Sequence, residues 1–247
     1  MFYRIRKVIG IIGLYKNWGA RIANHRIAKS GTLMLYLRNG LKFKIQRNTD
    51  DDAIVDELFI EEPYTKKAGF VIKPGYTVFD IGGQKGIFTN YAFSKGASVY
   101  TYEPFPVNYS FLKDNLRMNG FSDKNAYKKA VSNKSGQAIL HLSEGSGSHS
   151  LFSKTGKLVK VETTSLDKEI KSNKVKTIDL LKLDCEGAEY PIIYASKLLP
   201  KVVKRISMEW HPIEGYKIED LKKHLERNGF RVILNKNYLY AKSLILR

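Results

Sequence analysis

Five ionisable residues in the second half of the chain have the types and spacing of a proton-handling site. Asp184, Glu186 and Glu189 fall within the run Asp184-Cys-Glu-Gly-Ala-Glu189, and Glu209 and His211 follow in Glu209-Trp-His211. Residues i and i+2 of an extended chain project to the same side, so Glu209 and His211 can face one point. One use of such a set is to take the proton from a hydroxyl as its oxygen attacks. Asp184 or His211 would be the base, the imidazole because it titrates near neutrality and the carboxylate if its neighbours raise its pKa. Another is to hold Mg²⁺ at Asp184, Glu186 and Glu209, which lowers a hydroxyl's pKa directly. A third is structural: Glu186 and Glu189 favour a helix N-terminus and Glu209 pairs with a lysine. Cys185, the single cysteine, alternates away from Asp184 and reads as packed rather than nucleophilic.

A second constellation lies upstream. Asp80-Ile-Gly-Gly-Gln-Lys-Gly86 reads as a strand end followed by a turn and a helix start, and Glu103 follows Gly86 by 17 residues. That interval lets a helix and a strand return the chain to the same sheet edge, where open α/β sheets bind ligands. Glycine suits positions where the chain turns sharply or a ligand meets the backbone. The spacing Asp-x-Gly-x-x-x-Gly differs from the dinucleotide fingerprint Gly-x-Gly-x-x-Gly. A phosphate-free ligand with an ammonium and a ribose diol fits better, which points to S-adenosylmethionine. Asp80 would lie near its ammonium, directly or through water, and Glu103 would accept both ribose hydroxyls.

These residues need a scaffold, and the pattern supplies an alternating one. Strands are expected at 76–81, 98–102, 127–131, 178–183 and 205–209, and helices at 87–94, 107–118, about 190–199 and 218–228. Such alternation implies a parallel sheet with helices on both faces. The last strands, 230–234 and 238–246, are joined across Asn235-Lys-Asn237 as a hairpin, so the final one runs antiparallel. Residues 132–166 interrupt the rhythm with short β runs and the small-residue loop 145–150, which could close over a substrate with His149 facing in. Before the sheet, 32–37 and 41–46 form a hairpin about Asn39-Gly40, where both central residues need positive φ. A helix over 51–59 follows, capped by Asp50 or Asp51. The division expected is a basic N-terminal extension at 1–62 and a Rossmann-like domain at 63–247.

The whole chain carries a formal charge of +18, and residues 1–49 hold eleven basic residues and no acidic one. Such a field attracts phosphate on lipid, substrate or nucleic acid, or simply solvates a surface. The apolar run 8–15 is too short to span a bilayer. An interfacial helix carrying Phe2, Ile5, Ile9 and Ile12 would give peripheral membrane contact, although packing of that face onto the body is the ordinary outcome. The expected setting is cytoplasmic, at most peripheral to the inner face of the membrane.

The chain resembles the FkbM family of methyltransferases. The resemblance rests on Phe79-Asp-Ile-Gly-Gly-Gln-Lys-Gly86 with Thr89, and on Tyr102-Glu-Pro-Phe-Pro106 with Asn108, Leu112, Asn115 and Asn119-Gly120. It continues in Ala130-Val-Ser, Gly136, Thr164-Ser-Leu-Asp167, residues 179–189 and Met208-Glu-Trp-His211. It implies a class I methyltransferase fold, a Rossmann-like doubly wound α/β sheet of seven strands with the last antiparallel. It also implies a cofactor site at Asp80, Gly82, Gly83, Gly86, Glu103, Ala130 and Asp184. The implied reaction is methyl transfer from S-adenosylmethionine to an oxygen of a natural product, sugar or glycan; the basic N-terminal field leaves a phosphate- or lipid-linked form of such a hydroxyl-bearing small-molecule acceptor open. Two alternatives stand beside it: an RNA methyltransferase that uses the basic N-terminal region as a phosphate clamp, and an inactive Rossmann-like module that binds nucleic acid or membrane. Against the first, no Asn-Pro-Pro-Tyr type motif is present; against the second, Asp80 and Glu103 are intact. Nucleic acid is accordingly the lesser expectation.

Overall fold

The computed structural model describes residues 2–24, 30–142, 149–152 and 156–246, with the side chains of residues 2–7 outside the description. Its centre is a seven-stranded sheet. The strands are β3 (Thr77–Ile81), β4 (Ser98–Tyr102), β5 (Ala126–Tyr127), β9 (Leu180–Leu183), β10 (Arg205–Glu209), β11 (Phe230–Asn235) and β12 (Tyr238–Ser243). Their order is β11-β12-β10-β9-β3-β4-β5. All neighbours are parallel except β12, which is antiparallel to both β10 and β11. This is the class I methyltransferase topology. Strands β3 and β9 are buried almost throughout, as a parallel sheet covered on both faces requires. From β3 the chain winds outward through β4 and β5, then returns to β9 and winds the other way. The switch point, where ligands bind, therefore lies between β3 and β9.

Helices α4 (Ile87–Ser94), α5 (Pro106–Met118), α6 (Leu166–Ser172), α7 (Glu189–Ala195), α8 (Leu199–Val202) and α9 (Ile218–Arg227) connect these strands. One apolar core joins Phe79, Leu181 and Ile206 of the sheet to Ile192, Leu221 and Leu225 of the helices. On the other face, a second core unites the N-terminal segment with the sheet. Tyr15, from the end of α1 (Phe2–Leu14), Leu35 of β1 (Thr32–Tyr36) and Phe43 of β2 (Lys42–Gln46) pack with Val78, Phe88, Tyr91 and Val99. Polar contacts fasten the same join. The Asn115 Oδ1 accepts from Lys44 N at 2.7 Å and Asn119 Oδ1 from Lys42 N at 2.8 Å, so a side chain of α5 and that of the residue closing it satisfy the outer edge of β2.

Several local expectations give way to side-chain chemistry. The strand expected at 127–131 is two: β5 ends at Tyr127 in the main sheet, and β6 (Ala130–Ser132) pairs instead with β8 (Lys157–Ser165). The interruption at 132–166 is not a set of short runs, because β7 (Gly136–Leu142) and β8 pair antiparallel over their length. Within it, residues 143–148 lie outside the description, and with them most of the expected closing loop. The strand expected from 178 begins at Leu180, Ile178 making a single bridge to Val203. The helix expected over 190–199 breaks after Ala195. The carboxylate of Asp167 accepts from Ser196 Oγ, Lys197 N and Leu198 N, satisfying the amides the break would orphan.

The helix expected over 51–59 is α-helical only through Asp56 (α3, Asp51–Asp56) and continues as one π-turn, Glu57–Glu61. Neither aspartate caps it. Asp51 Oδ2 accepts instead from Gln46 N at 2.7 Å and from the Lys85 ammonium at 2.5 Å. The first hairpin turns through residues 38–40, and only Gly40 takes positive φ, the geometry of a three-residue loop rather than a two-residue one. A short helix α2 (Trp18–Ile22) brings Arg21 into buried ion pairs with Asp52, at 2.7 Å, and with Asp56, whose Oδ1 also accepts from the Tyr15 hydroxyl at 2.8 Å. At least one cation of the basic segment thus holds the fold together instead of facing a phosphate. No helix among the described residues is long and apolar enough to cross a membrane.

Candidate active site

The site is built where β3 and β9 separate. Asp80 and Lys182 are register partners on these strands, and Lys182 Nζ lies 3.1 Å from Asp80 Oδ1. The same ammonium donates to Gly82 O at 2.9 Å and lies 3.5 Å from Asp184 Oδ2. Burial alone would drive its pKa down, but the charges of Asp80 and Asp184 overcome this and push it up. Asp80 is fully buried; its other oxygen accepts from Thr89 Oγ1 at 2.6 Å. It lines neither cavity of the site, so its influence on a ligand passes through Lys182 and the turn.

The turn residues serve the protein's own packing. A Cβ on Gly82, whose φ is +83°, would stand 1.7 Å from the Asp184 carbonyl oxygen, and one on Gly83 would stand 2.2 Å from Thr101 Oγ1. Gly86, at φ +78°, opens α4 against Leu112. Glycine here lets the β3 loop and the β9 loop touch. Gln84, at φ +46°, then turns its amide to Glu103 Oε2 at 2.8 Å, while Phe105 N donates to Oε1 at 2.8 Å. Burial pushes the Glu103 carboxyl up to about 7, against the lowering effect of those two amides. Each oxygen keeps a lone pair for a hydroxyl, so the residue fits a ribose diol. It lines a narrow slot with Tyr102, Asn108, Ala130, Val131 and Leu140, an apolar-walled space with polar groups at one end, as a nucleoside requires. His149 also faces this slot and meets Phe105 edge-on. Ala130, at the start of β6, forms part of the wall, and Cys185 lies beside it, its thiol pushed well up by burial and then by Glu189. Such a thiol is not a nucleophile.

A wider cleft of about 200 Å³ adjoins the slot, the two sharing Gly82, Gln84, Asp184 and Glu186. Its far wall carries Glu209 and His211, and its near wall comes from the N-terminal segment through Ile54, Glu57 and Tyr64. The Tyr64 hydroxyl donates to Asp184 Oδ2 at 2.9 Å and also lies 3.2 Å from Glu209 Oε2. Tyr238 adds a contact to Glu209 Oε2 at 3.3 Å and one to Glu57 Oε1 at 2.7 Å. Burial, followed by Asp184, raises Glu209.

The three carboxylates named for catalysis, Asp184, Glu186 and Glu209, therefore converge with the imidazole and with Glu189, but not with equal freedom. Glu189 is fully buried, and its oxygens accept from Cys185 N and Gly187 N, both at 2.8 Å, which shapes the loop. It also meets His211 Nδ1 at 3.1 Å, while Glu186 Oε2 lies 3.6 Å from His211 Nε2. Burial alone would lower the His211 pKa. The hydrogen bond and charge of Glu189, with Glu186 and Asp184 adding, push it up to about 9 instead. These neighbours favour the protonated ring. Glu186, held at φ +53° before Gly187, is pushed up to about 7 by burial, with His211 opposing. Asp184, Glu186 and His211 are also the described residues whose ligand atoms fall within 4.8 Å of one another. Glu209, expected in a metal set, is not among them.

Lys182, Tyr238 and Glu57 escaped the reading of the sequence. Lys182 had a visible signal: a lysine inside the apolar strand Leu-Leu-Lys-Leu must be paired to be buried. Tyr238 and Glu57 had none, since they meet only through the fold.

In sequence the chain is 23% identical over 220 residues to the 31-O-demethyl-FK506 methyltransferase FkbM of Streptomyces tacrolimicus, covering 75% of this chain and 84% of that protein. Among solved structures, the fibrillarin pre-rRNA processing protein of Methanococcus jannaschii aligns at a TM-score of 0.42 and 14% identity over 68% of this chain and 66% of that one. The ribosomal protein L11 methylase of Lactobacillus delbrueckii subsp. bulgaricus aligns at 0.41 and 16%, over 70% and 72%. The family described as Methyltransferase FkbM domain matches residues 80–232, from the aspartate of the cofactor turn to the second-last strand. The chain belongs to this FkbM-domain family of S-adenosylmethionine-dependent methyltransferases, and it carries the seven-stranded sheet and switch point described above.

Proposed function

We propose that the chain methylates a hydroxyl oxygen of a sugar, glycan or other small-molecule acceptor held in the cleft in front of Asp184. One observation carries this reading. The cleft runs without interruption from the cofactor turn at Gly82 and Gln84 to Glu186, Glu209 and His211, so an acceptor there lies against both the cofactor and carboxylates that can take its proton. The slot lined by Glu103 and Ala130 takes the nucleoside end of S-adenosylmethionine, which supplies an electrophilic methyl group on a sulfonium.

Within that frame, Glu186 is the general base. A carboxylate near 7 is matched to its task at neutral pH, and the proton of the acceptor hydroxyl passes to it as the new bond to oxygen forms. The cationic His211 keeps Glu186 ionised and oriented, and Glu189 fixes the ring. Asp184 is already engaged by Tyr64 and Lys182, which suits it to hold a hydroxyl or the cofactor rather than to take a proton. The acidic lining formed by Glu57, Asp184, Glu186 and Glu209 repels a nucleic-acid backbone, which weighs against RNA as acceptor.

A second use of the site rests on the close approach of Asp184, Glu186 and His211, a donor set for a divalent cation. The Lys182 ammonium 3.5 Å from Asp184 works against another cation there.

The test has two stages. Calorimetry should show saturable S-adenosylmethionine binding that Glu103→Ala weakens by at least tenfold. Transfer of labelled methyl to a panel of sugars, glycosides and small alcohols should then place the label in a base-stable ether. No cofactor binding, or label delivered to RNA in preference to these acceptors, overturns the proposal. Activity that persists in chelator supports base catalysis, and its loss with recovery on Mg²⁺ moves the mechanism to the metal.

A further inference from the structure

Beside the acceptor cleft lies a larger groove in which lysines outnumber carboxylates. The groove, about 590 Å³, lies between the segment after the π-turn and the β11–β12 hairpin, and it shares Glu57 and Pro63 with the cleft. Tyr238 stands at the junction. Its ring lines the groove while its hydroxyl reaches Glu57 and, at the cleft side, Glu209. Inside the junction, the carboxylates of Asp50, Glu57, Asp184, Glu186 and Glu209 outnumber the cations Lys182 and His211. Outside it the balance turns, with Lys66 and Lys67 on one wall and Lys236 at the tip of the opposite hairpin against Glu57 and Glu61. Among the described residues none of these three ammonium groups is in an ion pair; of the groove's two carboxylates, Glu57 is already bonded to Tyr238 and Glu61 leaves the lysines in excess.

We infer that this groove is an acceptor subsite for a phosphate group, so that the acceptor is a phosphorylated or phosphate-linked sugar whose neutral hydroxyl end enters the cleft. The inference rests on the O-methyltransferase reading above and narrows its substrate class. The polarity along the path supports it. An anion inside the cleft would face Glu57, Asp184, Glu186 and Glu209 at close range, more negative charge than Lys182 and His211 offset there, a costly arrangement. The same anion in the groove meets three cations free to donate hydrogen bonds, and charge-assisted contacts to phosphate are among the stronger ones. The lysines come from two elements that only the fold brings together, at Lys66-Lys67 and at Lys236, so the groove is a place built by tertiary structure rather than a run of charge in the sequence. Tyr238 offers a ring face between the two zones, the contact a sugar ring makes with its apolar side.

The experiment uses the full chain saturated with S-adenosylhomocysteine, titrated in turn with glucose, glucose 1-phosphate and uridine diphosphate glucose. The two phosphorylated probes separate a phospho-sugar from a nucleotide-linked one. Both, or one, should bind at least tenfold more tightly than glucose, and Lys66→Gln/Lys67→Gln/Lys236→Gln should lose at least tenfold of that preference. A control triple, Lys171→Gln/Lys174→Gln/Lys176→Gln, on a distant exposed segment, should leave it unchanged. Phosphorylated probes that bind no better than glucose, or an equal loss in both triples, overturn the inference. Failure of the underlying function is read separately, because it appears as absent cofactor binding or absent transfer to oxygen in the unsubstituted protein.

Discussion

Asp80 and Lys182 sit side by side in β3 and β9, and their side chains meet 3.1 Å apart at the one place where the sheet reverses its winding order. Both are buried. The aspartate that marks the cofactor turn in sequence thus acts through a lysine that marks nothing in sequence. Lys182 also holds the carbonyl of Gly82 and approaches Asp184, so one ammonium organises the floor of both cavities.

Lys182→Met should therefore destabilise the protein by about 3–5 kcal/mol, because it leaves buried carboxylates without a counter-charge. Asp80→Asn added to it should recover part of that loss. Urea unfolding of the two single variants and the double variant measures the coupling; purely additive losses would show that the pair does not interact.

Glu103 should make cofactor binding depend on pH. Its carboxyl is pushed up to about 7 in the folded chain by burial, above the ordinary value of 4.5. Below about 4.5 both folded and unfolded states hold the proton. Between there and 7 only the folded state does, so this group's contribution to stability is lost as pH rises through that window. Binding runs the other way, since ribose hydroxyls donate to the ionised form. The affinity for S-adenosylmethionine should rise from pH 6 to pH 8 with release of a proton, seen by calorimetry in buffers of different ionisation heat. Glu103→Gln should bind weakly and without that slope.

His211 should titrate near 9 in the intact protein, where Glu189 and Glu186 hold it. Its ring nitrogens can be followed by ¹⁵N spectroscopy and assigned with His211→Gln. A midpoint near 6.5 would return the imidazole to the role of neutral base. With an accepted substrate, Glu186→Gln should lower turnover by roughly 10²–10⁴-fold, the range expected for removing a general base.

Gly82→Ala should cost roughly 2–5 kcal/mol, combining a left-handed backbone with a Cβ placed 1.7 Å from the Asp184 carbonyl. Thermal melting reads the stability. Cofactor affinity should fall with it, because the displaced element is the loop that carries Asp184. An unchanged melting temperature would mean that the two loops do not touch.

The sequence by itself determined the sheet and the cofactor. Alternating apolar runs, Asp80 to Gly86, Glu103 and the hairpin at residues 235–237 are local signals, because each records what the backbone must do within a few residues. The carboxylate run from Asp184 to Glu189 was equally legible as a place. What each residue does there was not, because a pKa is set by neighbours in space. His211 looks like a neutral base in the chain and becomes a cation only when Glu189 and Glu186 flank it. Asp51 looks like a helix cap and is drawn instead to Lys85 and the β2 amide. Residues 127–131 look like one strand and divide between two sheets, since pairing partners lie far along the chain. Only the tertiary structure brought Tyr64, Tyr238 and Glu57 to the acceptor cleft and set three lysines at its mouth, because those contacts join segments separated by well over a hundred residues.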